Sequence, residues 1–118
     1  MLFRSVFQEP ERALAEESMG AALALCAPTV LPYEIASVAQ KKTRRGEADL
    51  ALFGIELFSA MDVGLHRVNI EEVCALANHY RLTSYDASYL WLAKHLDAPL
   101  FTFDRALQRA AEEYLHAP

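Results

Sequence analysis

Short apolar runs recur along this chain between stretches with helical spacing, and that alternation constrains the fold more than any other feature. Ala27-Pro28-Thr29-Val30-Leu31, Leu65 to Val68, and Pro99-Leu100-Phe101-Thr102-Phe103 read as short buried strands. Between them lie stretches that read as helices. Glu9 to Cys26 is dense in alanine and has Pro10 in its first turn. Tyr33 to Arg45 follows Pro32, carries cations at its end, and meets Gly46 as a stop. Glu47 to Met61 repeats Leu50, Phe53, Leu57, Phe58 and Met61 at three- and four-residue spacing. Asn69 with Glu72, and Thr83 with Asp86, are capping signatures that open two more helices, the second running from Ser84 to Leu96. Asp104 to Leu115 is the last. Strands separated by helices predict βαβ units, hence an α/β fold with a parallel sheet covered on both faces. The first helix, however, enters with no strand ahead of it.

The chain has 118 residues, the size of one domain, and we treat 1–118 as such. Hydrophobic residues make up 53% and charged residues 23%, which excludes disorder as the main state. No apolar run approaches the roughly 20 residues of a membrane span, so no membrane association is expected. The N-terminus lacks the pattern of a secretory signal. Cys26 and Cys74 each sit in an apolar stretch and are expected to be buried free thiols in a reducing cytoplasm. A net charge of −5 excludes bulk attraction to nucleic acid, so a polyanion would need a local patch or bound cations.

Sites in parallel α/β sheets form at the carboxyl ends of strands. Three acids occupy such places: Glu34 after the first strand, Asp86 at the start of a helix, and Asp104 directly after the last strand. Clustered carboxylates repel unless a cation lies between them, and hard oxygen donors without Cys or His favour Mg²⁺ or Mn²⁺. An acid in the first turn of a helix is also explained by capping and the helix dipole alone, and spacing does not separate the two explanations.

Thr83-Ser84-Tyr85-Asp86-Ala87-Ser88-Tyr89-Leu90, followed by Ala98-Pro99-Leu100-Phe101-Thr102-Phe103-Asp104-Arg105-Ala106-Leu107, resembles the C-terminal half of PIN-domain ribonucleases, in particular VapC-like toxins. Leu31-Pro32-Tyr33-Glu34-Ile35-Ala36 resembles the segment with the family's second acid. Phe7-Gln8-Glu9-Pro10-Glu11 resembles the end of its first helix and the following turn. The resemblance implies a three-layer α/β/α domain acting as a metal-dependent endoribonuclease. Glu34, Asp86 and Asp104 would be its catalytic and Mg²⁺- or Mn²⁺-binding acids, with Thr102 as the supporting hydroxyl. It also implies a homodimer neutralised by a VapB-like antitoxin. Under this alignment Met1 to Phe7 is a helix. The family's first central strand, with its aspartate, would fall before Met1, so that strand is expected to be missing. That loss implies either a misassigned or truncated start, with the strand and its acid lying upstream, or a catalytically inactive binding module that keeps the partner surface.

Arg105, next to the last acid, is a candidate RNA phosphate contact. Lys41-Lys42-Thr43-Arg44-Arg45 is either a phosphate patch or a helix end complementing its dipole. The stripe from Leu50 to Met61 is either core or a partner-binding face, and Tyr85 is either core or a base-stacking residue. His66, His79, His95 and His116 show no ligand spacing.

Overall fold

The computed structural model describes residues 3–8 and 23–117. Within them a four-stranded parallel sheet has the order β3-β2-β1-β4, built from β1 (Phe3–Phe7), β2 (Leu23–Pro28), β3 (Val63–His66) and β4 (Leu100–Phe101). Five helices are described: α1 (Leu31–Arg44), α2 (Ala48–Ala60), α3 (Ile70–Tyr80), α4 (Ser84–His95) and α5 (Arg105–Leu115). The chain divides into two compact units, one of residues 1–29 with 63–118 and one of residues 30–62.

The first unit holds the sheet, and it corrects the expectation of a missing strand. Phe3–Phe7, which the alignment made a helix, is an inner strand paired on both edges. Val6 is in register with Cys26 of β2 and with Leu100 of β4. Phe3, Val6 and Phe7 are aromatic or β-branched, the types that suit a pleated, half-buried surface. The reading of a helix from Glu9 to Cys26 is also corrected at its end, because Leu23–Pro28 is strand β2; its part over residues 9–22 lies outside the described residues. Leu25, Cys26 and Ala27 are all buried. An inner parallel strand is covered on both faces and so reads as a continuous apolar run, which periodicity does not distinguish from a buried helix.

α4 is the pivot of this unit. It packs on β1, β2 and β4 and lies between α3 and α5. Every residue from Ala87 to Ala93 is buried, the pattern of a helix covered all round. The ring of Trp91 stacks on His95 with centroids 4.6 Å apart, and its Nε1 donates to Glu72 Oε2, so the indole enters the core with its polar atom satisfied. Cys26 is buried as expected, whereas Cys74 lies on the exposed side of α3.

The second unit is a helical pair. α1 packs against α2, and Gly46 makes the turn between them at φ 81°, a left-handed conformation that glycine adopts without steric cost. The stop expected at Gly46 is therefore where it was read. Leu50, Leu52, Phe53 and Ile55 of α2 are exposed. Among the described residues no helix is long and apolar enough to cross a membrane.

Burial separates the two kinds of leucine. Leu92→Ala, which empties a fully buried position, is expected to cost about 3 kcal/mol, against less than about 0.5 kcal/mol for Leu52→Ala at an exposed one; urea denaturation of both variants measures the difference.

Candidate active site

β1 and β4 run side by side, so their carboxyl ends emerge together. Val6 N donates to Pro99 O and Gln8 N to Phe101 O, both at 3.0 Å. These bonds set Gln8, the residue after β1, beside Thr102, the residue after β4.

Thr102 is buried, and its hydroxyl makes two bonds. It donates to Gln8 Oε1 and accepts from Asp104 N at 3.1 Å. Gln108 Nε2 donates to Thr102 O, which ties the same residue to α5. Asp104 is the N-cap of α5, its Oδ1 accepting from Leu107 N at 2.8 Å. Asp86 stands in the first turn of α4, whose N-cap Thr83 accepts from Asp86 N at 3.1 Å. Gln8 Nε2 donates to Asp86 Oδ1 at 2.8 Å.

One hydrogen-bonded chain thus runs Asp86–Gln8–Thr102–Asp104. It joins two of the three acids singled out in the sequence and the hydroxyl residue beside them. Glu34 lies in the second unit, half-buried in the first turn of α1, with its N donating to Val30 O at 3.1 Å. Arg105 is the exposed first residue of α5. Tyr85, beside Asp86, is 59% exposed, whereas Tyr89 is fully buried in the core. Lys41, Lys42 and Arg44 occupy the last turn of α1, where cations complement the helix dipole, and Lys42 Nζ lies 3.9 Å from Glu47 Oε2.

Gln8 is the residue that the sequence reading missed. The resemblance implies a helix end there, whereas Gln8 stands at the carboxyl end of an inner strand, with an amide and not an acid at that end. The signal available in the sequence is Phe3, Val6 and Phe7, aromatic and β-branched residues just ahead of Glu9-Pro10.

The donors around this chain are carboxylate, amide and hydroxyl oxygens, a set that suits a hard divalent cation. Among the described residues no three His, Cys, Asp or Glu side chains are grouped to hold a metal ion. The site therefore fits such an ion in donor chemistry and is short of acids in number.

Residues 1–113 match the PIN domain. The chain belongs to the PIN-domain family. It is 33% identical over 99 residues to ribonuclease VapC3 of Pyrobaculum aerophilum, a match covering 79% of this chain and 76% of that protein. The crystal structure of PAE2754, also from Pyrobaculum aerophilum, superimposes with a TM-score of 0.73 at 25% identity, covering 98% of this chain and 96% of that one. The PIN-like α/β fold and the VapC relationship expected from the sequence are both borne out, and the chain is a member of the PIN/VapC nuclease family.

Because Asp104 caps α5 through its side-chain oxygen, charge and cap are separable there. Asp104→Asn keeps an acceptor and is expected to melt within about 2 °C of the parent, whereas Asp104→Ala loses about 1 kcal/mol. Parallel thermal melts check this. An Asn variant as unstable as the Ala variant would mean that the carboxylate charge, not the cap, supports the helix.

Proposed function

We propose that the protein is an endoribonuclease of the VapC toxin type that hydrolyses RNA phosphodiesters with Mg²⁺ or Mn²⁺. The observation that carries this reading is the bonded chain joining Asp86 to Asp104 at the carboxyl end of the sheet, in a fold whose relative is a ribonuclease. Asp86 and Asp104 would hold the ion, and Glu34 is the further acid that the resemblance implies for it. The ion, when bound, activates water and offsets charge on the phosphate.

The chain's own side chains have the remaining tasks. Thr102 fixes the turn that carries Asp104, through the bond from Asp104 N. Arg105 meets phosphate from the exposed start of α5, and exposed Tyr85 stacks on a base. A homodimer and a VapB-like antitoxin in the cytoplasm complete the proposal, and the exposed apolar residues of α2 support a partner face.

Gln8 favours a second reading, a catalytically inactive PIN module that keeps its partner surface. Cleavage of a labelled RNA in Mn²⁺ or Mg²⁺ separates the two. Under the first reading the parent cleaves, chelator stops it, and Asp86→Asn and Asp104→Asn each lower the rate by at least about 100-fold, the upper end of what losing a partner of a metal ligand costs. Cleavage that survives both substitutions would sink the carboxylate assignment. An inert parent that gains cleavage on Gln8→Asp would support the second reading.

A further inference from the structure

Gln8 has no task in the chemistry above, yet it makes hydrogen bonds across 78 residues to Asp86 and across 94 residues to Thr102. Its amide has a donor end and an acceptor end, and each is used. Nε2 donates to Asp86 Oδ1 at 2.8 Å, and Oε1 accepts from the Thr102 hydroxyl. Thr102 has a single hydroxyl hydrogen, which goes to Gln8, and its oxygen takes the N–H of Asp104 at 3.1 Å. Donors and acceptors alternate without conflict from Asp86 to Asp104. A carboxylate at position 8 could keep the bond from Thr102, but it would have no hydrogen for Asp86 and would set a like charge against it.

The geometry points to Gln8 as a positioning residue that holds Asp86 and the Asp104 turn in place without a cation. Acids brought together by a fold usually need positive charge between them, and here a neutral amide supplies the attraction instead. The site is therefore formed before any ion arrives. An incoming ion also meets an Asp86 oxygen already engaged by Gln8, so divalent ions bind more weakly than they would beside an acid at position 8. The ion-binding half of this inference rests on the metal-dependent reading above; the positioning half does not.

The test uses the full chain, thermal melts in chelator and in Mn²⁺, and calorimetric titration with Mn²⁺. Gln8→Glu keeps the length and brings the charge. It is expected to melt about 4 °C or more below the parent in chelator, to recover in Mn²⁺, and to bind Mn²⁺ about tenfold more tightly than the parent. Gln8→Met keeps the shape without hydrogen bonds. It is expected to melt below the parent in chelator and in Mn²⁺ alike, which separates positioning of the acids from simple packing. Either variant melting like the parent in chelator overturns the inference. Gln8→Glu melting lower while no form binds Mn²⁺ would leave the positioning role standing and remove the metal-dependent reading.

Discussion

A strand inside a parallel sheet must satisfy the peptide groups along both its edges, and β1 pairs with β2 along Phe3 to Val6 and with β4 at Val6 and Phe7. The position of the site follows from that pairing. Because β1 and β4 are neighbours, Gln8 and Thr102 come together although 94 residues separate them in the chain. Because α4 lies on β1, β2 and β4, its first turn delivers Asp86 to the same place. Long-range pairing of this kind costs loop-closure entropy before it returns contacts. The wholly buried stretch of α4, from Ala87 to Ala93, is where much of that return is collected.

The parts of the fold legible in the sequence are those fixed by local bonds. Asn69, Thr83 and Asp104 each accept from the backbone N–H three residues on, and each marks a helix start correctly. Gly46 was readable for the same reason. What was misread is set by distant parts of the chain. Leu23-Ala24-Leu25-Cys26-Ala27 has no alternation because β2 is covered on both faces, and its alanines suit a helix equally well. The resemblance, read from Glu9-Pro10, implies a helix over Met1 to Phe7, and a helix there hides both strand β1 and the side chain of Gln8 that follows it. Asp86, Asp104 and Thr102 were named from the sequence, but the amide that joins them was not.

The sequence left capping and metal binding as rival explanations for these acids. In Asp104 they are compatible. A carboxylate has two oxygens with about four acceptor positions, and the cap bond from Leu107 N uses one of them. Capping also orients the group, since a side chain bonded to its own helix has fewer rotamers to lose when a ligand arrives. Thr83 does the related service for Asp86 by taking its backbone N–H. Helix starts are therefore economical places for acids in this fold: the bonds that stabilise the helix also orient the candidate acid.

The amide at position 8 changes the sign of an interaction rather than its size. Two like charges about 4 Å apart at a partly solvated site repel by about 4 kcal/mol, whereas a hydrogen bond to a charged group contributes about 1.5–3 kcal/mol. Exchanging one for the other is a swing of several kcal/mol in a domain whose net stability is on the order of 5–15 kcal/mol. An acid at position 8 would make folding lean on a cation to offset the repulsion. With Gln8 the fold needs no cation at this point, and under the metal-dependent reading the cost would fall on affinity for the ion instead. The same exchange lowers the negative potential over the mouth of the site. Under the proposed ribonuclease reading that would matter in a chain of net charge −5, because a phosphate backbone would meet one fewer negative charge there.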